Sequence, residues 1–249
     1  MSSGTFTTSR GLAVVSGASS GIGKATALLL VAQGWEVVAL GRRAEAPPEF
    51  VDLPTLRYGA ADLTQEDPLA VLQRVAPHAL NDVQVLVNSA GHDLGGGLPF
   101  DRHEPADWLS MLRLNVEATM RLTQVCLPAM LARRSGDIVV IGSITARQAT
   151  PGLTAYSTSK HAMRGFVSGL RADYRDVGLR ITEIAPGVVK TGFASTRLHG
   201  DAAKASEFYD GFAECLLPED VARAVSFVLS QPPHLSVSEI VLTPARQHP

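Results

Sequence analysis

The sequence predicts a single α/β domain built on a doubly wound parallel sheet of about seven strands, with helices on both faces. Three observations carry that expectation. Short, near-continuous apolar runs alternate with longer stretches of helical spacing, as in parallel strands covered on both sides. The first apolar run passes directly into a glycine-rich turn at Gly17, Gly21 and Gly23. No internal repeat or low-complexity segment divides the 249 residues, a length that one α/β domain can fill.

In chain order, residues 12–16 form the first strand. Residues 21–34 form the first helix, because Ile22, Ala25, Leu28, Leu29 and Ala32 share a face and Gly34 supplies a stop. Residues 36–40 are the second strand, 57–60 a weaker third, and 68–75 a short helix. The fourth strand, 83–87, runs into Asn88-Ser89-Ala90-Gly91. A long helix over 108–133 contains Pro128 and leads to a fifth strand at 137–141. A second long helix covers 155–177, and a sixth strand at 179–185 is stopped by Pro186-Gly187. A helix over 218–230 and a strand over 239–242 complete the chain. Right-handed crossovers bring the ligand to the C-terminal ends of such strands. Residues 191–217 lie on that side, carry no strand pattern, and are expected to form a substrate lid.

Composition narrows the function classes. Hydrophobic residues make up 45% and charged residues 18%, and the net charge is −2, so no basic stripe points to nucleic acid. Residues 1–10 are polar and lack the apolar core of a signal peptide. The apolar stretches are interrupted before the ~20 residues needed to span a bilayer. Cys126 and Cys215 make no disulfide framework, and the seven histidines have no metal-ligand spacing. The expectation is a cytoplasmic protein with no metal and no nucleic-acid or membrane partner.

The turn joining first strand to first helix has the spacing Gly-x-x-x-Gly-x-Gly. Glycine lets the backbone approach phosphate oxygens, and the helix N-terminus adds partial positive charge, so the turn suits a pyrophosphate. It also suits close helix–strand packing. After the second strand comes Gly41-Arg42-Arg43. An acidic residue there would accept from ribose hydroxyls and select NAD; Gly41 cannot, and Arg42 offers a fork of donors to a 2′-phosphate. Asp62 follows the third strand, where it could accept from an adenine amino group or cap the next turn.

Tyr156 and Lys160 stand four apart on a helix and share one face. A free tyrosine titrates near pH ~10, and a neighbouring ammonium favours the phenolate. Tyr156 is thus expected to be lowered by Lys160 and to exchange a proton with a carbonyl/alcohol pair. Ser143, just past the fifth strand, could bond the same oxygen. Asn115, a polar residue among apolar helix neighbours, could hold a water linking Lys160 to solvent.

Together with the glycine turn, Asp62, Asn88-Ser89-Ala90-Gly91, Pro186-Gly187 and Thr191, this chain resembles the short-chain dehydrogenase/reductases, in their small single-domain branch, over essentially its whole length. The resemblance implies a Rossmann-type fold and a catalytic tetrad of Ser143, Tyr156, Lys160 and Asn115. It implies NADP, in preference to NAD, held by Gly17, Ser19, Ser20, Gly21, Ile22 and Gly23 of the turn and by Arg42 and Arg43. Further along, Asp62 and Leu63, Asn88, Ala90 and Gly91, Tyr156 and Lys160, and Pro186, Gly187, Val189 and Thr191 would complete the cofactor site. Ser16 stands where a threonine is usual and Ser89 where a second asparagine is usual; the latter is expected to loosen support of the fourth strand. A finer likeness, in residues 143–148 and 238–244, is to members acting on serine and other 3-hydroxy acids.

The substrate is expected to be a small carbonyl or alcohol compound near Ser143, Thr145, Tyr156 and His92. Arg147 either binds a substrate carboxylate or packs on the neighbouring helix. His92 and Asp93 either line the substrate mouth or are polar loop residues, and Arg197, His199 and Lys204 of the lid are either solvated charges or partners of a substrate anion. A dinucleotide-sensing protein without turnover would have lost Tyr156 or Lys160. An epimerase or dehydratase would need a larger C-terminal part, and an acyl-carrier-protein-dependent ketoreductase a basic docking patch. The two long helices, with Met111, Met120, Met130, Phe166 and Leu170 on their outer faces, are expected to pair copies of the chain into a homo-oligomer, a dimer of dimers.

Overall fold

Seven strands form one parallel sheet in the computed structural model, which describes residues 10–77, 80–148 and 150–246. They are β1 (Leu12–Ser16), β2 (Glu36–Gly41), β3 (Leu56–Ala60), β4 (Val83–Asn88), β5 (Gly136–Ile141), β6 (Leu179–Pro186) and β7 (Glu239–Leu242). The order across the sheet is β3-β2-β1-β4-β5-β6-β7, so the strand order reverses beside β1 and β4. That is the expected doubly wound arrangement. All but Arg10 of the polar N-terminal stretch lies outside the described residues. Among the described residues no helix is long and apolar enough to cross a membrane.

Side chains alternate across each strand, and the alternation divides the core in two. Val14, Val38, Leu86 and Ile138 face one side, where α4 (Thr119–Arg133) and α5 (Thr154–Asp173) cover them with Leu122, Met130, Met163 and Val167. Ala13, Val15, Val37 and Val85 face the other, under α1 (Gly21–Ala32) and α8 (Pro218–Leu229) with Leu30, Val221 and Val225. Every residue of β1 is buried. A fully buried Leu or Val side chain contributes about 1.5–3 kcal/mol, so the two layers set the sheet and aim its C-terminal ends at one cleft.

Several boundaries differ from the sequence expectation. The long helix begins at Pro105, where proline's fixed φ suits a first helical turn, and not at Trp108. It continues as a π-helical stretch over Leu112–Ala118 before α4. The helix α5 ends at Asp173 because the chain must turn at Gly178, which has φ 80° and whose added Cβ would lie 2.5 Å from the Arg134 carbonyl. Residues 191–217 hold two short helices, α6 (Phe193–Arg197) and α7 (Ala202–Asp210). The outer apolar face expected on the long helices needs correction. Met111, Met130 and Leu170 are buried within the chain and Phe166 packs against the same core, so of the five only Met120 is exposed. The helical spacing placed them on a face, but that face turns inward: Met130, Phe166 and Leu170 join the core over the sheet, and Met111 packs against Ala155 and Tyr156 of α5. Phe227 on α8 and Val241 on β7 are the exposed apolar residues at the sheet's last edge.

Candidate active site

A cleft of about 1050 Å³ opens along the C-terminal ends of the strands. One wall is the glycine turn: Gly17, Ser19, Ser20, Gly21, Ile22 and Gly23 all line it. Gly17 has φ 68°, and a Cβ there would lie 2.8 Å from the Ala90 backbone. A Cβ on Gly23 would lie 2.4 Å from the Gly17 carbonyl. The turn therefore packs backbone against backbone, as an approach to a phosphate chain requires. The hydroxyl of Ser16 accepts from the Ser89 and Ala90 amides at 3.1 and 3.2 Å, so the ends of β1 and β4 are held together without the second asparagine.

At the far end of this wall the cleft meets Gly41, Arg42 and Arg43. A Cβ on Gly41 would lie 2.7 Å from Ser19 Cβ and 2.8 Å from the Tyr58 hydroxyl. Arg42 is exposed at the rim. Arg43 donates to the Ser19 carbonyl at 3.3 Å, and its own carbonyl accepts from the Tyr58 hydroxyl at 2.8 Å. Leu63, Ala90 and Gly91 line the cleft, as do Pro186, Gly187, Val189 and Thr191 on the opposite wall. Two cofactor candidates sit elsewhere. Asn88 points into the core, donating to Thr123 Oγ1 at 3.0 Å, and so ties β4 to α4. Asp62 takes the turn-capping role: its Oδ1 accepts from the Thr64 amide and hydroxyl at 2.9 and 2.7 Å.

Ser143, Tyr156 and Lys160 meet midway along the cleft. Ser143 follows β5, and its hydroxyl accepts from Thr145 Oγ1 at 2.9 Å, so Thr145 orients it as well as lining the cleft. Tyr156 and Lys160 project from the first turns of α5, with Lys160 Nζ 5.7 Å from the Tyr156 ring centroid. Lys160 Nζ donates to the Ile141 carbonyl at 2.9 Å. Burial pushes its ammonium down to about 8, with Glu183 pulling the other way. Burial pushes the Tyr156 phenol above its ordinary 10, against the opposing pull of the Ser143 side chain. The expected lowering of Tyr156 by Lys160 is thus corrected: desolvation of the ring dominates, and the cation that pulls against it is Arg197.

Asn115 sits in the π-helical stretch, and widened turns of this kind recur at functional sites. Its side-chain oxygen accepts from the His92 amide at 2.9 Å, and its amide donates to the His92 carbonyl at 2.9 Å and to Ser159 Oγ at 3.0 Å. It clamps the loop after β4 onto α5. An added Cβ on Gly91 would lie 3.1 Å from Asn115 Oδ1 and 3.7 Å from Lys160 Nζ, so the two residues flank the same glycine. His92 lines the cleft, bonds Ser110 Oγ through Nε2 at 3.1 Å, and is held neutral, at about 4, by burial and by Arg42.

Arg147 is the clearest correction. Its guanidinium donates to the Ser143 carbonyl at 3.0 Å, lies 3.3 Å from the buried Glu183 carboxylate, and pairs with Glu239. It does not line the cleft; two carboxylates behind the site hold it. The cation on the substrate side is Arg197 of α6, 2.7 Å from Asp93. Around it are Phe193, whose ring centroid is 5.6 Å from that of Tyr156, and Phe208. The Tyr209 hydroxyl fastens this region, lying 2.9 Å from the Thr191 carbonyl and 3.2 Å from its amide. Sequence reasoning passed over Phe193, Phe208 and Tyr209 because aromatic residues in a polar segment carry no spacing signal.

Comparison with known proteins agrees with this geometry. A family model described as short chain dehydrogenase matches residues 11–201. The serine 3-dehydrogenase of Agrobacterium fabrum is 32% identical over 239 residues, covering 95% of this chain and 95% of that protein. A solved serine dehydrogenase, in its closed form complexed with NADP+, is similar with a TM-score of 0.88 at 31% identity, covering 95% of this chain and 96% of the other. The serine dehydrogenase of Escherichia coli is similar with a TM-score of 0.79 at 27% identity, covering 95% and 99%.

Proposed function

The chain belongs to the short chain dehydrogenase family and is an NAD(P)-dependent oxidoreductase acting on CH–OH groups; on that premise we propose that it uses NADP(H) to interconvert a small alcohol and its carbonyl compound, with Tyr156 as the general acid/base. Hydroxy acids and keto compounds are the candidate substrates, as the serine 3-dehydrogenase likeness suggests. The observation that carries the reading is the single cleft shared by the glycine turn and by Ser143, Tyr156 and Lys160.

The residues present fit a dinucleotide. Gly17 and Gly23 leave backbone where a side chain would intrude, and Gly41 places no carboxylate beside Arg42. The glycine turn would hold the pyrophosphate, Arg42 a 2′-phosphate, and Lys160 and Thr191 the nicotinamide half. When bound, the nicotinamide supplies or accepts the hydride. The protein's part is orientation and proton transfer. Thr145 fixes the Ser143 hydroxyl, which would bond the substrate oxygen. Burial keeps the Tyr156 phenol protonated, the form that donates a proton to a carbonyl oxygen during reduction. Asn115 holds residue 92 and α5 in register around that oxygen. Residues 191–217, fastened through Tyr209 and packed on the glycine turn by Thr191, act as the lid that excludes water.

The test is a panel of hydroxy acids, keto acids, aldehydes and ketones with both nicotinamide cofactors, followed at the absorbance of the reduced form. Tyr156→Phe removes one hydroxyl and should lower turnover by about 10²–10⁴-fold with the fold intact. Near-normal turnover in that variant would exclude Tyr156 as the proton donor.

A further inference from the structure

We propose that Arg197 is the carboxylate clamp of the active site, with Asp93 as its positioning residue, so that the substrates are short hydroxy or keto acids and not neutral alcohols or ketones. This rests on the oxidoreductase reading of the same cleft. The argument begins with the cations available. Arg42 and Arg43 stand at the distant rim of the glycine wall, Lys160 is engaged by the Ile141 carbonyl, and Arg147 is held by Glu183 and Glu239 behind the site. Lys204 lines the cleft but is two-thirds exposed and paired with Asp201 at 3.1 Å. Lys160 apart, Arg197 is the one of these that is both largely buried, with its side chain 12% exposed, and part of the cleft wall, next to Phe193, which packs on the Tyr156 ring.

Its setting suits anion binding. The guanidinium lies over Phe193 and Phe208, with its central carbon 5.5 and 4.8 Å from their centroids. Stacking of this kind fixes the plane of the fork while leaving its edges open to a carboxylate. Asp93, 1% exposed, approaches Nε at 2.7 Å. Nε is buried and faces Asp93 without an aligned hydrogen bond, and among the described residues no hydrogen bond runs from either terminal nitrogen. A carboxylate can therefore take the terminal pair in two parallel bonds.

The ion pair is a poor device for stability. Burial pushes the Asp93 carboxyl up against the pull of Arg197, and neither Asp93 oxygen has an aligned donor among the described residues. A buried pair of this kind roughly breaks even against an apolar replacement. What it does supply is orientation. Asp93 sits on the loop after β4, next to His92, which Asn115 anchors to α5. Through Asp93 the arginine of α6 is referenced to the rigid side of the cleft. His199 Nε2, 3.5 Å from the Asp107 carboxylate, brings the same segment against α3 (Pro105–Met111).

The test compares acids with their methyl esters, which keep the reacting hydroxyl and lose the charge. L-Serine and 3-hydroxypropionate, and the methyl ester of each, are assayed with NADP+ on the full chain. In the wild type kcat/KM should favour each acid at least tenfold. Arg197→Met keeps an apolar stem between the two rings, and should lower that acid-to-ester ratio by about 10²-fold, as expected when one partner of a desolvated charge pair is truncated. Arg197→Lys, which keeps charge and loses the fork, should fall between. Asp93→Asn should lower the ratio through KM, and the Asp93→Asn/Arg197→Met pair, which leaves no unpaired buried charge, should be no worse than Arg197→Met alone. An unchanged ratio in Arg197→Met, or a wild type that turns over esters and neutral ketones but not acids, overturns the clamp and leaves the oxidoreductase reading standing. If no alcohol or carbonyl compound is turned over, that reading fails, and calorimetry with malonate decides the clamp alone. At least tenfold weaker binding to Arg197→Met supports it, and equal binding overturns it.

Discussion

Replacing Lys160 by methionine should make the protein more stable at neutral pH, even as it removes an active-site group. Lys160 is 6% exposed, and its ammonium is depressed from 10.5 to about 8, chiefly by burial. For a base, a native value below the unfolded one is a penalty on folding. It is fully present below about pH 8, where both states are protonated, and it fades as pH rises towards 10.5, because the native chain releases its proton first. At 1.36 kcal/mol per unit the penalty is about 3 kcal/mol. Methionine retains the apolar stem but loses the charge-assisted bond to the Ile141 carbonyl, worth about 2 kcal/mol. The net gain at pH 7 is then about 1 kcal/mol, or roughly 2–4 °C in the unfolding midpoint of a chain this size. The assay is thermal unfolding of wild type and Lys160→Met at one protein concentration and at pH 7, 8, 9 and 10. The variant's advantage should shrink steadily between pH 8 and 10. Tyr156, raised by burial, adds a pH dependence of its own above 10, but it is common to both proteins and cancels in the difference. A difference that stays flat across that interval would refute the claim that desolvation governs Lys160.

Two further outcomes follow from the cleft and from the surface. Arg42→Ala should weaken NADP(H) by about 10–100-fold, the loss of a charge-assisted contact, and change NAD(H) little, as read by titrating each cofactor against protein fluorescence; equal losses for both would exclude a 2′-phosphate contact. The exposed Phe227 on α8 and Val241 on the edge strand β7 should be covered by another copy of the chain, so light scattering at micromolar concentration should give a multiple of 26.4 kDa; a mass of one chain would rule out the homo-oligomer.

The doubly wound sheet of seven strands was legible because alternation of apolar strand and amphipathic helix is a local signal repeated along the chain. The glycine turn, Ser143, Tyr156 and Lys160 were legible because each is tied to a strand end or to one helical face. What escaped depends on partners distant in sequence. Arg147 and Arg197 look equivalent in a linear reading, and only packing places Glu183 and Glu239 beside the first and Asp93 beside the second. The proton affinities of Tyr156 and Lys160 escaped for a related reason. Their four-residue spacing signals a charge interaction, whereas the burial that governs both comes from residues distant in sequence, Trp108, Met111 and Phe193 around Tyr156 among them. The same holds for Met111 and Met130, whose face was evident from spacing but not which neighbour covers it.

The close fit around Gly41 constrains how this lineage could ever change coenzyme. An acidic side chain at that position is the simplest way to favour a ribose diol, yet its first carbon would press on Ser19 of the glycine turn and on the Tyr58 hydroxyl, which is itself committed to Arg43. The Tyr58 hydroxyl ends a flexible side chain and can swing outward at the cost of its bond to the Arg43 carbonyl, but Ser19 Cβ and the Ser19 amide belong to the turn and move only with its backbone. An acidic residue at position 41 is therefore opposed by the glycine turn itself, whichever nicotinamide coenzyme the cleft holds.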